Sequence, residues 1–229
     1  MGEEAKVRSL FFGPPGSGKG TQAARFASAR GLPHVSSGDL LRAAVASGSA
    51  IGREAKGFMD RGELVPDRLV LDLLFERLAG RDCASGFVLD GFPRTVGQAE
   101  SVEARLGRGL TPALDLALRF ALSDEALVER MSGRRSCARC GLTYHVRWNP
   151  PRSEGRCDRC GGELVRRLDD DPSVVRERLR VHRRDEAGLV DLYRRLGILR
   201  ELDAGGSIDA VARALSAIAA SLPAAQTTD

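Results

Sequence analysis

Lysine and aromatic residues are scarce in this sequence. Aromatic residues make up 5% of the 229 residues, and three of the 35 basic residues are lysines, which leaves 32 arginines. Because the arginines are spread along the whole chain, this bias is typical of codon composition rather than of a nucleic-acid surface. The formal net charge of +4 therefore does not predict a polyanionic macromolecule as partner, and we expect no nucleic acid to bind.

Long apolar runs are also missing. No stretch approaches the roughly 18 apolar residues of a membrane helix, and the first six residues, MGEEAK, are polar, unlike a secretion signal. The chain has five cysteines, of which four form two C-x-x-C pairs. That pattern argues against a disulfide framework and favours metal binding in a reducing compartment. We expect no membrane partner and a cytoplasmic location.

Short apolar runs alternate with segments of helical length along most of the chain. Buried strands are predicted over residues 7–12, 87–89, 114–120 and 198–202. Apolar residues at three- and four-residue steps predict a last helix that ends near Leu222. The alternation predicts an α/β fold whose parallel sheet carries helices on both faces. The tail over residues 223–229 has nothing to bury and is expected to be flexible.

A glycine-rich loop, GPPGSGKGT over residues 13–21, follows the first predicted strand. Its glycines let backbone N–H groups turn inward around phosphate oxygens, while the next helix points its positive end at them. Lys19 adds a point charge for the outer phosphates of a nucleotide. The alternative is a turn without function, which is disfavoured by the preceding strand, the following helix and the lysine in register.

A second motif, FVLDGFPRT over residues 87–95, ends an apolar strand in Asp90. A carboxylate is thereby placed at the carboxyl edge of the sheet, where ligands bind in open α/β folds. Hydrated Mg²⁺ is the natural partner of such a carboxylate. Arg94, held by Pro93, would face the same crevice as the glycine-rich loop. In the alternative interpretation, Asp90 merely begins a turn and Arg94 is solvated.

Residues 133–170 interrupt this pattern and carry the paired cysteines. Sixteen residues separate Cys137-x-x-Cys140 from Cys157-x-x-Cys160, a spacing that can place four thiolates tetrahedrally around Zn²⁺. Four protein ligands leave no open position, so the metal is predicted to be structural, although four thiolates also accept iron or cobalt. Two reduced pairs without metal are the alternative. Cys83 stands alone and is expected to pack rather than to react.

Three motifs together resemble the nucleoside monophosphate kinases, and specifically the adenylate kinases: GPPGSGKGT, SSGDLLR over residues 36–42, and DGFPRT over residues 90–95. The resemblance runs in order and spacing from Val7 to about Leu215. It implies a P-loop core over residues 7–35, 66–132 and 171–222, an AMP-binding insertion over residues 36–65 and a zinc-binding lid over residues 133–170. It also implies a monomer.

The resemblance further implies roles for individual residues. The positions that match ATP contacts are Gly16, Ser17, Gly18, Lys19, Gly20, Thr21, Arg130, Arg134, Thr143, Tyr144, His145 and Gly206. Those that match AMP contacts are Ser37, Arg42, Glu63, Leu64, Val65, Gly91, Phe92, Pro93, Arg94, Gln98, Arg167 and Arg178. The implied catalytic group is Lys19, Arg94, Arg134, Arg167, Arg178 and Asp90.

Side-chain chemistry adds to some of these assignments. Gln98 can both donate and accept hydrogen bonds at an adenine edge, which favours AMP over UMP or CMP. Arg130 and Arg134 would lie one turn apart on a continuous helix and could then face one site. Asp39 is expected to join Asp90 in holding Mg²⁺ through water. An acidic pair, Asp169 and Asp170, is expected to steer arginines.

The implied reaction is the reversible, Mg²⁺-dependent transfer of a phosphoryl group from ATP to AMP, giving two ADP. The acceptor phosphate is ionised near neutral pH, so the protein needs no general base and supplies positioning, positive charge and exclusion of water. A kinase that uses GTP as donor or another monophosphate as acceptor is the neighbouring alternative. A zinc-ribbon nucleic-acid-binding ATPase is the alternative from a different class, but it leaves SSGDLLR and DGFPRT unexplained.

Overall fold

The computed structural model describes residues 7–107, 112–167 and 170–221, so the predicted tail over residues 223–229 lies outside the described residues. In chain order the strands are β1 (Val7–Phe12), β2 (His34–Ser36), β3 (Gly86–Asp90), β4 (Leu116–Ala121), β5 (Arg134–Cys137), β6 (Thr143–His145), β7 (Leu164–Val165) and β8 (Leu199–Asp203). Five of them form one sheet in the order β2-β3-β1-β4-β8, and every pair in it is parallel. The predicted parallel sheet is confirmed.

Helices connect these strands. In chain order they are α1 (Lys19–Ala29), α2 (Ser37–Ala46), α3 (Ala50–Arg61), α4 (Asp67–Leu78), α5 (Val96–Leu106), α6 (Asp124–Ser132), α7 (Pro172–Arg195) and α8 (Ile208–Ala220). Several begin at a side chain that accepts a hydrogen bond from the first turn, such as Ser49 for α3, Thr95 for α5 and Asp171 for α7. None of the helices in the described ranges is both long enough and apolar enough to cross a bilayer.

The sheet is covered on both faces, because alternate residues of a strand point to opposite sides. On one face, Phe11 and Phe120 pack with α1 and α8 through residues such as Phe26 and Leu215. On the other face, Leu10, Phe12, Val35 and Leu89 pack with α4, α5 and α7. The parallel pairing of β2, β3 and β1 places their carboxyl ends side by side at one edge of the sheet.

Two segments project from this core. The first is the α2–α3 insertion, in which the two helices cross so closely that a Cβ at Gly52 would lie 1.9 Å from the carbonyl oxygen of Ala44. The second is the cysteine module, residues 133–170, whose strands form a separate antiparallel sheet in the order β6-β5-β7. Both segments flank the edge of the main sheet that carries the glycine-rich loop.

Candidate active site

The glycine-rich loop turns sharply between β1 and α1. Gly16 and Gly18 both have φ values of +87°, in the left-handed region that favours glycine. Lys19 is the first residue of α1, and its Nζ donates a hydrogen bond to the carbonyl oxygen of Pro14 at 3.2 Å. Burial lowers the pKa of Lys19 to about 8, although the nearby carboxylate of Asp90 acts in the opposite direction. The loop therefore combines two glycines in the left-handed region with one buried amine.

Arg130 joins this loop to the turn after β8. Its Nη1 donates to the carbonyl oxygen of Ser17 at 3.3 Å, and its Nη2 donates to those of Ala204 at 2.8 Å and Gly206 at 3.5 Å. Arg130, which lies 113 residues from Ser17 in the sequence, thus contacts the glycine-rich loop. Of the positions matched to ATP, Arg130 and Gly206 lie beside the glycine-rich loop.

Asp90 ends β3 beside the glycine-rich loop and is 8% exposed. A Cβ at Gly20 would lie 3.0 Å from Oδ2 of Asp90, so the glycine leaves room for the carboxylate where many phosphate loops have Ser or Thr. From the neighbouring strand, Nε2 of His34 lies 3.3 Å from the same Oδ2. The carboxylate is therefore held at the sheet edge with space beside the loop, which suits a hydrated divalent cation.

Gly91 lies where the two halves of the site meet. Its carbonyl oxygen accepts hydrogen bonds from Oγ of Ser37 at 2.9 Å and from Nε of Arg94 at 2.7 Å. Gly91 has a φ of +71°, and a Cβ added there would lie within 4 Å of Ser37, Arg94 and Cε of Lys19. The glycine thus lets the glycine-rich loop and the DGFPRT motif approach each other.

A cavity opens between the α2–α3 insertion, α4 and the DGFPRT motif. Nine of the twelve positions matched to AMP line it: Ser37, Arg42, Glu63, Leu64, Val65, Phe92, Arg94, Gln98 and Arg178. Gly91 and Pro93 line the adjoining cleft. Arg167 lines neither, since it lies in the cysteine module with its Nε donating to Oγ of Ser136 at 2.7 Å. Asp39, which was expected to help hold Mg²⁺, is paired with Arg42: Nη2 of Arg42 lies 2.5 Å from Oδ1 of Asp39.

Gln98 is 2% exposed at the floor of this cavity. Its Oε1 accepts from the backbone N–H of Arg94 at 2.7 Å, and its Nε2 donates to Oδ1 of Asp67 at 2.6 Å. A primary amide has two donor hydrogens and two acceptor lone pairs, so one of each remains. Asp67 and the backbone of Arg94 therefore fix the orientation of the amide that the sequence matched to adenine.

The adjoining cleft contains residues that the sequence analysis missed. Lys19, Arg94 and Arg178 line it together with His182 and Asp185 of α7. A signal for them was present, because 178, 182, 185 and 189 follow one another at helical steps of three or four residues. His182 in turn lies 3.3 Å from Oε1 of Glu186, one turn further along α7.

Glu186 is anchored from the sheet. Its carboxylate accepts hydrogen bonds from Nε and Nη2 of Arg119, at 2.9 and 3.1 Å. Burial would raise the pKa of Glu186, but the contacts with His182 and Arg119 outweigh it and lower the pKa to about 2. Arg119 belongs to β4, so this ion pair fixes the cleft-facing part of α7 on the sheet.

Arg134 does not lie on the same helix as Arg130. Helix α6 ends at Ser132, and Arg134 begins β5, so the expectation of one continuous helical face was wrong. The cause is Gly133, which caps α6 and packs so tightly on His145 that an added Cβ would lie 2.3 Å from its Nε2. Arg134 instead donates from Nε to Oδ2 of Asp170 at 2.8 Å and from Nη2 to Oδ1. This pairing agrees with the expectation for Asp170, whereas Asp169 lies outside the described residues.

The strand Thr143–His145 lies in the cysteine module. The ring of His145 stacks on Trp148 with centroids 4.1 Å apart, and its Nδ1 accepts from the backbone N–H of Arg147 at 3.0 Å. Burial lowers the pKa of His145. The side chain of Tyr144, 5% exposed, points into the module between the cysteines. The side chain of Tyr144 is therefore occupied inside the module.

The four paired cysteines converge. Their sulfur atoms all lie within 4.8 Å of one another, with 3.4 Å between Cys137 and Cys160 and 3.5 Å between Cys140 and Cys157. Zn–S bonds of about 2.3 Å place the sulfurs of a tetrahedral site about 3.8 Å apart, so this set fits one zinc ion. A Cβ at Gly162 would lie 2.9 Å from Sγ of Cys137, so the glycine keeps that space clear. Cys83 is 3% exposed in the main core, as expected for a packing residue.

A phosphate loop at the end of β1, a buried acidic residue at the end of β3 and a cavity lined by arginines define a P-loop phosphotransferase that acts on nucleotides. A family model described as adenylate kinase matches residues 11–198. The adenylate kinase of Thermodesulfovibrio yellowstonii is 49% identical over 212 residues, 93% of this chain and 98% of that protein. Those of Archaeoglobus fulgidus and Carboxydothermus hydrogenoformans are 46% and 47% identical, over 91% and 90% of this chain and 96% and 95% of theirs. The chain belongs to the adenylate kinase family of nucleoside monophosphate kinases.

Proposed function

We propose that ATP binds along the glycine-rich loop and that AMP binds in the neighbouring cavity, with their phosphates meeting at Gly91. The proposal is carried by one observation: Ser37, Arg94 and Lys19 all come within 4 Å of a Cβ built at Gly91. A residue matched to ATP and two matched to AMP therefore surround the same point. Arg178 lines both the cavity and the cleft, and would contact the group that passes between them.

Charge stabilisation is the proposed source of the rate enhancement. Negative charge spreads over the transferred group, and positive side chains in a water-poor cleft stabilise it without having to reorganise. Lys19, Arg94 and Arg178 line the cleft. Arg134 and Arg167 would join them from the cysteine module. Since the acceptor phosphate is already ionised, none of these residues is required to remove a proton.

Asp90 is the proposed holder of Mg²⁺, through the water shell of the ion. Its position at the end of β3 and the room left by Gly20 support this role. When bound with ATP, Mg²⁺ would neutralise phosphate charge. The chain's own contribution is to keep the carboxylate of Asp90 next to Lys19 and the glycine-rich loop. Asp39 remains a weaker candidate, because it is paired with Arg42.

Zinc is the proposed occupant of the cysteine module, held by Cys137, Cys140, Cys157 and Cys160. The apolar cluster of this module is small, and it contains little besides the cysteines, Tyr144 and Leu164. A bound ion would therefore contribute folding energy that the packing alone does not supply. Because four thiolates complete a tetrahedral site, the ion would stabilise the module and take no part in the reaction.

We infer that the α2–α3 insertion closes on AMP and that the cysteine module is a lid that closes on ATP. A closing lid excludes water, which would otherwise compete with AMP as the acceptor. In this proposal the chain divides into a core, an AMP-binding insertion and a lid. We also infer a monomer that binds no nucleic acid, and a reducing compartment such as the cytoplasm, in which free cysteines persist.

A coupled assay of ADP formation tests the proposal directly. Zinc content is measured first, and ATP with AMP is then compared with GTP with AMP and with ATP with UMP. Rapid ADP formation with ATP and AMP, at one zinc per chain, is the expected result. Equal rates with GTP or UMP would contradict the assigned nucleotides. Turnover of ATP without any monophosphate would contradict the division of the cleft.

A further inference from the structure

Tyr144 occupies the centre of the cysteine module. It is the middle residue of β6, pairs across the strand with Arg135 of β5, and is 5% exposed. Its ring belongs to the same buried cluster as Cys137 and Cys157. The resemblance to adenylate kinases gave this position a contact with ATP, yet the side chain faces the cysteines. The hydroxyl therefore has a role that contact with a nucleotide does not explain.

Two hydrogen bonds fix the direction of that hydroxyl group. The backbone N–H of Asp158 donates to the hydroxyl oxygen at 2.7 Å. The hydroxyl lies 3.5 Å from Sγ of Cys157, within hydrogen-bonding distance of a sulfur acceptor. Because the amide can only donate, the single proton of the hydroxyl remains available and points at the sulfur. Tyr144 is thus a donor to one of the four sulfur atoms.

We propose that Tyr144 is a positioning residue of the zinc site, which orients the Cys157 thiolate toward the metal by donating a hydrogen bond to it. Hydrogen bonds from outside the ligand set orient metal ligands and tune their donor strength, and losing one typically weakens metal binding. The proposal rests on the fit of the four cysteines to zinc and is independent of the nucleotide assignments.

The same hydroxyl also ties the two halves of the module together. It joins β6, which follows the first cysteine pair, to the backbone of Asp158, which lies between Cys157 and Cys160. By contrast, the sulfur of Cys137 accepts from a backbone donor, the N–H of Cys140 at 3.4 Å. The contact with Cys157 comes from a side chain and can be removed by one substitution that leaves the backbone intact.

The test compares zinc affinity in two single variants. Tyr144→Phe keeps the ring and removes the donor. Tyr193→Phe is the matched control, because its hydroxyl is buried in the main core and has no hydrogen-bond partner among the described residues. Zinc affinity is measured by competition with a chromophoric chelator, and circular dichroism checks the fold of each protein. We expect Tyr144→Phe to bind zinc about 10- to 100-fold more weakly, with Tyr193→Phe unchanged.

Cobalt provides the second readout. In protein loaded with Co²⁺, the absorption band that arises from sulfur-to-metal charge transfer depends on the electron density of each thiolate. Removing the hydrogen bond to Cys157 is expected to shift this band in Tyr144→Phe and to leave it unchanged in Tyr193→Phe. A folded Tyr144→Phe protein with wild-type zinc affinity and an unshifted cobalt band would overturn the proposal, and would mean that Tyr144 only fills space.

Discussion

Arg134 and Asp170, 36 residues apart in the sequence, form a salt bridge where the cysteine module leaves the core and returns to it. The Asp170 side chain is fully buried and that of Arg134 is 17% exposed. A proposed catalytic arginine is therefore held at the base of the proposed lid by a carboxylate from the far end of the same segment. The pair couples the position of the arginine to the path of the lid.

Replacing Asp170 by Asn tests this coupling. The substitution leaves the guanidinium of Arg134 largely buried without a counter-charge, which costs roughly 3 kcal/mol in comparable pairs. We expect a loss of that order in the free energy of unfolding, measured by urea denaturation of the zinc-loaded protein. Asp191→Asn, in an exposed pair with Arg194, is the control and should change stability by less than about 1 kcal/mol. Equal stability of both variants would mean that the pair contributes little.

Arg94 is predicted to act on the transition state. We expect Arg94→Ala to lower kcat by about 10²- to 10³-fold, as is typical when one charge-stabilising donor is removed. The same direction is expected for Arg167→Ala if the proposed lid brings Arg167 to the cleft. Arg194→Ala, which removes an arginine from an exposed pair with Asp191 near the end of α7, is the control. Normal turnover in both site variants, with circular dichroism unchanged, would refute the assigned roles.

Lys19 gives a prediction about pH. Its pKa is lowered to about 8, so in the free enzyme the amine loses its charge as the pH rises through that value. Because kcat/KM reports the free enzyme, kcat/KM for ATP is expected to fall above about pH 8. In Lys19→Arg the guanidinium stays charged, so the fall should disappear even if the overall rate is lower. A profile of the same shape in both proteins would exclude Lys19 as its cause.

Asp67 is predicted to act on AMP through Gln98. Without the acceptor at 2.6 Å, the amide of Gln98 is free to rotate away from the adenine edge. We expect Asp67→Ala to raise KM for AMP by about tenfold, the equivalent of one hydrogen bond, with KM for ATP unchanged. Asp67→Asn keeps an acceptor oxygen and should lose less. Asp72→Ala, at an exposed position of the same helix, should behave as wild type.

Glu186 gives a prediction about acid stability. Its pKa falls from 4.5 to about 2 on folding, so the folded state favours the ionised form. The stabilisation is fully present above pH 4.5 and is lost as the pH falls toward 2. Glu186→Gln should therefore be less stable than wild type at pH 7, and the difference should shrink at pH 3. Urea denaturation at the two pH values measures this, and a constant difference would contradict it.

Four strands of the main sheet, β1, β3, β4 and β8, were predicted from their apolar residues, although β8 is only partly buried. β1 and β4 contain apolar runs that are interrupted by Arg8, Ser9 and Arg119, and their predicted positions agree with the structure to within two residues. β2 was missed because His34 and Ser36 surround a single apolar residue, Val35, in a strand of three residues at the edge of the sheet. Periodicity cannot identify so short a strand, and its identity depends on pairing with β3.

The residues matched by motif converge on the cleft. The residues that hold them in place through hydrogen bonds and ion pairs could not be predicted. Asp67 lies 31 residues from Gln98, and Arg119 lies 67 residues from Glu186, so the sequence gives no local sign of either pair. The expectation that Arg130 and Arg134 share a helix was wrong because local spacing cannot foresee where a helix ends at a packed glycine. Such contacts arise from tertiary packing.

The length of helix α7 determines which of its side chains reach the cleft. Its 24 residues begin directly after the proposed lid, and Arg178, His182 and Asp185 follow one another along the cleft. Inserting one residue would turn everything beyond it by about 100° and move these side chains out of the cleft. Insertions and deletions among relatives should therefore accumulate in the loops of the cysteine module, while the length of α7 stays the same.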